Sequence, residues 1–233
     1  MKIGAIVQAR MGSQRLPNKV LHEVAGKPLL QYILERLEHC DCLDNIVVAT
    51  SVDGSDTPIA DYCRENKVAC YRGSLSNVAG RFIGALDVYR LDGFVRVNGD
   101  SPLLDQRLIE KGVSMFLGGN LDLVTNVFPR SYPIGQSVEV LSTVAYQRAY
   151  NHMRDGELEH ITSYFYAHPK DFRIQNFALT ESLSQIQLSV DTRQDIGNFT
   201  RLVSDMVRPH WEYTLEDILQ IHQRLALSDT DLL

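Results

Sequence analysis

Short apolar runs alternate with stretches of helical periodicity along the first half of the chain. Leu29, Ile33 and Leu37 recur at the spacing that places residues on one face of a helix. The runs interpreted as buried strands are residues 2–7, 45–50, 67–71, 93–98 and 121–127. The segments interpreted as helices are residues 28–39, 56–66, 77–90 and 105–117. Strands and helices that alternate in this way predict a mostly parallel sheet with helices on both faces.

The pattern changes after about residue 128. Residues 128–137 contain two prolines and a glycine, which favour a loop. Strands are predicted at 137–142, 172–179 and 186–190, and helices at 143–153, 157–167, 193–206 and 214–226. We therefore expect one α/β domain over residues 1–233, with an inserted β-hairpin arm at approximately 125–180.

The charge balance limits the choice of partners. The chain has 233 residues, 44% of them hydrophobic, and a formal net charge of -6. A mildly acidic chain is a poor candidate for nucleic-acid binding, because affinity for a phosphate backbone needs a surplus of Lys and Arg. A polyanionic ligand would have to be held by a local cluster of basic residues.

The N-terminus and the cysteines indicate a cytoplasmic protein. The first apolar run is too short for a secretory signal, and Gln8 and Arg10 end it. No stretch approaches the roughly 18 apolar residues of a membrane helix. Cys40 and Cys42 have one residue between them, which fits neither a zinc knuckle nor a CxxC redox pair. We therefore expect reduced thiols and no membrane partner.

The loop after the first strand is the most informative segment for chemistry. Arg10, Arg15 and Lys19 fall within ten residues, and Gly12 lets the backbone approach a ligand closely. A triphosphate carries about four negative charges, so it needs several fixed cations and backbone donors. A solvated basic loop is the plain alternative. The P-loop and GxGxxG patterns are both absent, which argues against a nicotinamide-dependent enzyme.

Two acidic residues directly follow predicted strands. Asp100 stands in NGDSPLLD and Asp191 in QLSVDT. Carboxylates at this edge of a sheet can bind Mg²⁺, which takes one or two carboxylates plus phosphate oxygens and waters. The alternative is a turn or cap role. Asp105 fits that alternative better, as the N-cap of a helix that starts near Gln106.

Four segments taken in order resemble one known family. QARMGSQRLPNKVL, NGDSPLLD, ELEHITSYFY and LSVDT are similar to segments of the CMP-sugar synthetases, which include the acylneuraminate and 3-deoxy-manno-octulosonate (Kdo) cytidylyltransferases. The likeness is strongest to the spore-coat SpsF-like branch and covers residues 3 to about 205. It implies a Rossmann-like nucleotide-diphospho-sugar transferase fold (GT-A-like, three layers). It also implies transfer of CMP from CTP to an acidic sugar for surface polysaccharide, with Mg²⁺, in a homodimer whose arm reaches across.

The resemblance also assigns residues. Those implied to bind the nucleotide are Ala9, Arg10, Gly12, Ser13, Arg15, Lys19, Arg81 and Asp100. Asp100 and Asp191 would hold Mg²⁺, and the catalytic set would be Arg10, Lys19, Asp100 and Asp191. Candidates for acceptor contacts are Glu139, Glu159 and His160. Gly80 and Ser137 stand where related sequences more often carry an acid, which leaves the acceptor open.

Several alternatives stay open at this point. Arg81 could be a surface helix residue, and Glu159 and His160 could begin a helix at a dimer interface. A glycosyltransferase of the same fold would usually carry DxD, but no second acid lies two residues from Asp100. A phosphate or phosphonate acceptor would need extra cations, for which Arg130 and Arg173 could serve. An inactive homologue would be expected to lack Lys19 or Asp100, and both are present.

Overall fold

The computed structural model describes residues 1–230 as an α/β fold with a seven-stranded central sheet. The strands are β1 (Ile3–Gln8), β2 (Glu23–Val24), β3 (Lys27–Pro28), β4 (Asn45–Ser51), β5 (Ala69–Gly73), β6 (Gly93–Asn98), β7 (Leu123–Thr125), β8 (Glu139–Ser142) and β9 (Ile174–Asn176). The central sheet has the order β5-β4-β1-β6-β8-β7-β9, and β2 and β3 form a separate two-stranded pair.

The central sheet is mixed but mostly parallel. β1 pairs in parallel with both β4 and β6, and β4 pairs in parallel with β5. β8 runs antiparallel to its neighbours β6 and β7, while β7 and β9 are parallel. Only β8 therefore runs against the other strands of this sheet, as expected for the predicted fold class.

Helices cover both faces of the sheet. They are α1 (Leu29–Glu38), α2 (Thr57–Glu65), α3 (Val78–Tyr89), α4 (Gln106–Gly118), α5 (Thr143–Tyr150), α6 (Ser163–Ala167), α7 (Arg193–Ser204) and α8 (Leu215–Thr230). The helices predicted in the first half begin and end close to these bounds. Asp105 caps α4 through the Arg107 N–H, which confirms the predicted N-cap.

Two apolar clusters form the core, one on each sheet face. Ala5 and Val7 of β1 belong to the first cluster, together with Ile33 of α1. Ile6, between them, belongs to the second, together with Phe82 of α3. This division follows from the alternation of side chains along a strand. The result is the expected three-layer arrangement of helices, sheet and helices.

Two predicted elements are wrong. Helix 157–167 is helical only over Ser163–Ala167, because residues before it are bonded elsewhere, and the Leu158 carbonyl accepts the Ala79 N–H at 2.8 Å. The predicted strand 186–190 forms only an isolated bridge between Ile134 and Gln187. Its backbone bonds instead to loops, as in the 2.8 Å bond from Val190 N–H to the Asp100 carbonyl.

The segment expected to form a hairpin arm is built into the domain. Its strand β8 lies inside the central sheet between β6 and β7, and its strand β9 forms one edge of that sheet. Its part in a dimer stays a prediction. Within residues 1–230, no helix combines the length and the apolar character that a membrane crossing requires.

Candidate active site

A cleft opens where β1 and β6 end, at the carboxyl edge of the parallel strands. Its volume is about 490 Å³. The residues that line it are Gln8, Arg10, Ser13, Gln14, Arg15, Lys19, Val20, Asn98, Gly99, Asp100, Glu159 and Asp191. The cationic loop, the turn after β6 and the segment before α7 therefore meet in one place, at the sheet edge where ligands bind in open α/β folds.

Lys19 lies at the centre of this cleft. Its Nζ donates to Asp100 Oδ2 and to Asp191 Oδ1, each at 2.9 Å. Its side chain is only 10% exposed, and its backbone begins a short 3₁₀ turn at Lys19–Leu21. The fold thus brings Lys19, Asp100 and Asp191 together, although they are far apart in the sequence.

Asp191 is held ionised by its neighbours. Its Oδ1 also lies 3.0 Å from Arg15 Nη2, at the solvent side of the cleft. Burial raises the pKa of Asp191, but the hydrogen bond and charge of Lys19 and the charge of Arg15 outweigh it, so the pKa lies below its ordinary value. A carboxylate in this setting remains charged at neutral pH.

Arg10 and Glu159 face each other across the cleft. Arg10 Nη1 lies 3.3 Å from Glu159 Oε1, and their side chains are 42% and 53% exposed. An exposed pair of this kind contributes little to stability. The pair can therefore open at a small cost in free energy, and each side chain can then contact a bound ligand. Glu159 thus lies beside the cationic loop that follows β1, in a bend of the chain and not at the start of a helix.

A buried acid outside the set of candidate residues shapes the cationic loop. Asp56 is 1% exposed, and its carboxylate accepts the Met11 N–H at 2.7 Å and the Ser51 N–H at 3.3 Å. It directly precedes α2 but makes no side-chain cap bond to that helix. Met11 lies 45 positions away, so no local pattern could have revealed this contact.

Two polar residues at strand ends also line the cleft, although the sequence analysis gave them no role. Gln8 and Asn98 are register partners at the ends of β1 and β6, and both line the cleft. Gln8 Oε1 is buried and has no hydrogen-bond partner. A polar residue that closes an apolar strand is the signal that could have identified them, because strand ends meet at the ligand-binding edge.

Two further nucleotide candidates, Ala9 and Gly12, are not among the residues that line the cleft. Ala9 is buried, and its N–H donates to the Ala49 carbonyl at 3.2 Å. A Cβ added at Gly12 would meet no protein atom within 4 Å, so the loop is open on that side. Ser13, in contrast, lines the cleft.

Arg81 is buried, not a surface helix residue. It is 1% exposed, and its Nη1 donates to the Ser74 carbonyl at 3.1 Å, while Nε and Nη2 have no partner. Burial lowers the pKa of this guanidinium, although the charge of Asp56 opposes the shift. Its contact with a nucleotide stays a prediction.

Two acceptor candidates do not reach the cleft. Glu139 is 2% exposed and its carboxylate is held by Arg96 at 2.7 Å and by the Tyr166 hydroxyl, so it offers no direct contact to an acceptor. This corrects the predicted role, because an acid on β8 beside Arg96 is neutralised inside the fold. His160 is exposed and lies in a turn, where its carbonyl accepts the Ser163 hydroxyl at 2.7 Å.

The acids of the cleft suit a cation that is bound together with phosphate. Asp100 and Asp191 both contact the same ammonium group, so both carboxylates already face one positive charge. Mg²⁺ commonly takes one or two carboxylates and fills its other positions with phosphate oxygens and waters. Within residues 1–230, no group of three or more His, Cys, Asp or Glu is arranged to hold a metal. An ion here would therefore depend on a phosphate ligand.

A cationic loop and paired acids at the carboxyl edge of a mostly parallel sheet define a nucleotide-binding α/β enzyme. The particular family follows from comparison with known proteins. A family model described as "Cytidylyltransferase" matches residues 4–230. The chain therefore belongs to the cytidylyltransferase family, which confirms the resemblance seen in the sequence.

Three relatives illustrate the range of the family. An uncharacterized protein of Methanocaldococcus jannaschii is 35% identical over 95% of this chain and 89% of its own length. The spore coat polysaccharide biosynthesis protein SpsF of Bacillus subtilis is 29% identical over 84% of each chain. The 3-deoxy-manno-octulosonate cytidylyltransferase of Bdellovibrio bacteriovorus is 27% identical over 88% of this chain and 98% of its own length.

A solved structure agrees with the fold over nearly the whole chain. The structure of a cytidylyltransferase from Leptospira borgpetersenii superposes with a TM-score of 0.92 and is 27% identical. The match covers 97% of this chain and 95% of the other. The chain therefore shares its fold with a known cytidylyltransferase structure.

Proposed function

We propose that this enzyme transfers CMP from CTP to an acidic sugar, of the Kdo or nonulosonic-acid class, with release of pyrophosphate. The observation that carries the proposal is the meeting of Lys19 with Asp100 and Asp191 in a cleft lined by Arg10 and Arg15. Family membership supports the nucleotide chemistry. The names of the relatives from Bacillus and Bdellovibrio support a sugar acceptor for surface polysaccharide.

The charges of the cleft favour a nucleotide that brings its own cation. Arg10, Arg15 and Lys19 are balanced by three carboxylates, those of Asp100, Glu159 and Asp191. A triphosphate with about four negative charges would leave this cleft strongly negative. A divalent cation would offset about half of this excess. Opening of the Arg10–Glu159 pair would free the Arg10 guanidinium for a phosphate.

The reaction needs positioning and charge neutralisation more than covalent participation of the protein. The acceptor hydroxyl would attack the α-phosphorus of CTP in line and lose its proton to solvent. The new bond joins the acceptor oxygen to phosphorus, and the bond from the α-phosphorus to the bridging oxygen breaks. Arg15 and Lys19 would hold the phosphates and offset the charge on the departing pyrophosphate.

The acids would act through a metal ion. Asp100 and Asp191 would hold Mg²⁺, which supplies charge neutralisation at the phosphate oxygens when it is bound. When the metal holds the two carboxylates, Lys19 would be free to turn its hydrogen bonds toward phosphate oxygens. The Asp56 contact to Met11 would keep the loop backbone in place while the ligand enters.

The proposal includes a cytoplasmic homodimer. Four free cysteines, Cys40, Cys42, Cys63 and Cys70, suit a reducing compartment. Segment 125–180 contributes β8 and β9 and would provide the surface that meets the second subunit. Light scattering after size exclusion tests the dimer, and a monomer at micromolar concentration would contradict it.

Pyrophosphate release tests the function directly. CTP, UTP, ATP and GTP are each supplied with Mg²⁺ and with Kdo, N-acetylneuraminate, other nonulosonic acids or phosphonates. We expect release with CTP and an acidic sugar, dependent on Mg²⁺, and a CMP-linked product by mass spectrometry. Equal release with all four nucleotides would contradict the assignment of the nucleotide. Release with phosphonates alone would contradict the assignment of the acceptor.

A further inference from the structure

The backbone of residues 186–190 is held in place by hydrogen bonds to other parts of the chain. The Leu188 N–H donates to the Ile134 carbonyl and the Val190 N–H donates to the Asp100 carbonyl, each at 2.8 Å. The side chains of Leu188 and Val190 are buried in the core. The segment is therefore fixed on its apolar side and tied to the turn that carries one acid of the cleft.

The polar side chains of this segment form a row that leads to the other acid. Side chains alternate along an extended chain, so Gln187, Ser189 and Asp191 follow one another on the same side. Gln187 Nε2 lies 2.7 Å from Ser189 Oγ, and Ser189 Oγ lies 3.3 Å from Asp191 Oδ2. Ser189 is only 5% exposed, so solvent has little access to its hydroxyl.

The direction of these hydrogen bonds follows from the atoms around the Gln187 amide nitrogen. Nε2 also lies 3.2 Å from the Ser189 carbonyl oxygen and 3.5 Å from Asp191 Oδ2. An amide oxygen in that position would be repelled by the carbonyl and by the carboxylate, so the donor group of the amide occupies it. Gln187 therefore donates to the Ser189 hydroxyl, which leaves the single O–H of Ser189 to donate to Asp191. Each bond of such a chain polarises and strengthens the next.

The two oxygens of the Asp191 carboxylate have different partners. Oδ1 faces the cations of the cleft, with Lys19 Nζ at 2.9 Å and Arg15 Nη2 at 3.0 Å. Oδ2 accepts the hydrogen bond of Ser189. Rotation of the carboxylate would break both sets of contacts. The proposed reaction releases the Lys19 contact, whereas the Ser189 contact can persist while a ligand is bound.

We propose that Ser189, oriented by Gln187, is a positioning residue that keeps Asp191 Oδ1 directed at the metal ion bound with the nucleotide. This inference rests on the proposed function, in which Asp100 and Asp191 hold Mg²⁺. Ser189 is not among the residues that line the cleft, so it acts through Asp191 and not by contact with the nucleotide. Removal of a hydrogen-bonded partner of a metal ligand commonly lowers metal affinity by about tenfold to hundredfold.

Calorimetric titration with CTP tests this role without turnover. CTP is titrated into wild type and into Ser189→Ala, with saturating Mg²⁺ and with EDTA, in the absence of an acceptor. We expect Ser189→Ala to weaken CTP binding by about tenfold with Mg²⁺ and to leave it unchanged with EDTA. Ser189→Thr keeps the hydroxyl and should restore the affinity with Mg²⁺. Ser182→Ala, which removes an exposed hydroxyl bonded to Ser184, is the matched control and should match wild type.

Gln187→Ala provides a second variant, because it keeps the Ser189 hydroxyl and removes the group that orients it. We expect it to weaken CTP binding in the same direction as Ser189→Ala, again only with Mg²⁺. In the pyrophosphate assay with Kdo, Ser189→Ala should raise the Mg²⁺ concentration for half-maximal rate by about tenfold. The value of kcat at saturating Mg²⁺ should stay close to that of wild type.

The results that would overturn the inference are distinct from failure of the proposed function. An unchanged CTP affinity of Ser189→Ala with Mg²⁺ would overturn the inference alone. An equal loss of affinity with Mg²⁺ and with EDTA would also overturn it, because a merely structural role of the serine predicts that pattern. A wild-type enzyme whose CTP affinity is the same with Mg²⁺ and with EDTA would overturn it together with the metal role in the proposed function.

Discussion

Lys19 Nζ lies 2.9 Å from Asp191 Oδ1, although the two residues are 172 positions apart. The same amino group donates to Asp100, so one side chain joins the first loop, the turn after β6 and the segment before α7. Three strand-end segments are thereby fixed at one edge of the sheet. The hydrogen bonds of one lysine thus hold the two acids in the cleft.

Removal of the charge of Lys19 should lower the activity with CTP without unfolding the protein. We expect Lys19→Met to lower kcat/KM for CTP by about a hundredfold or more, because a fixed cation beside the phosphates is lost. The pKa of Asp191 should rise, since Lys19 is the main group that lowers it. Carbon-13 NMR of the carboxylates measures this shift.

A second lysine provides the control for that experiment. Lys27 also pairs with an acid, Glu35 at 2.8 Å, but does not line the cleft. Lys27→Met should leave kcat/KM for CTP unchanged. If Lys19→Met matched wild type in both kinetics and the Asp191 pKa, the role given to Lys19 would be wrong.

Asp56 should support both stability and nucleotide affinity. Asp56→Ala leaves the partly buried Met11 N–H and the buried Ser51 N–H without their acceptor, so we expect a loss of about 1–3 kcal/mol in the free energy of unfolding. The KM for CTP should also rise, because the loop loses its anchor. Urea unfolding and steady-state kinetics measure the two effects. Asp61→Ala, which removes only an exposed pair with Arg64 within α2, should change neither by a comparable amount.

Gly135 should tolerate no side chain. Its φ is +97°, and a Cβ there would lie 2.5 Å from the Ser189 backbone nitrogen. Because both the backbone angle and the contact are unfavourable, we expect Gly135→Ala to cost about 2 kcal/mol or more in the free energy of unfolding. Gly156→Ala is the matched control, since its Cβ would meet nothing within 4 Å. Equal stability of the two variants in urea would contradict this prediction.

His210 should make the protein less stable in mild acid. Burial lowers the pKa of His210 to about 4, although the hydrogen bond to Glu35 opposes the shift. The unfolded chain therefore binds a proton near pH 6.5 that the folded chain binds only near pH 4, so stability falls as the pH drops through this window. The loss should approach about 3 kcal/mol at the lower end.

Urea unfolding at several pH values measures this dependence. The neighbouring Glu35 acts in the same direction, because its own pKa lies below the ordinary value and its contribution is also lost in acid. His210→Gln should therefore reduce the slope of stability between pH 6.5 and 4 without removing it entirely. An unchanged slope in that variant would exclude His210 as the main cause.

The sequence predicted the first half of the fold well because strand and helix patterns are local there. The strand at 93–98 coincides with β6, and Asp105 caps α4 as expected. The residues around 186–190 have the composition of a strand, but their backbone bonds to loops, and this depends on contacts that no local pattern records.

The candidate site was predicted in part, for the same physical reason. Lys19, Asp100 and Asp191 directly follow strands or lie in the loop after one, so the carboxyl edge of a parallel sheet brings them together. Asp56 was missed because its contact to Met11 depends on the packing of α2 against the loop. Glu139 was expected to contact the acceptor because nothing in the sequence shows that Arg96, on the neighbouring strand β6, pairs with it.

The most direct test of the central claim is the rate of CMP transfer by Asp100→Asn at saturating Mg²⁺. The variant keeps the shape of the side chain and removes the negative charge that Lys19 contacts and that would bind the metal. We predict a loss of activity of about a thousandfold or more with unchanged thermal unfolding. Asp205→Asn, at a surface acid paired with Arg224, should keep full activity. Full activity of Asp100→Asn would contradict the account.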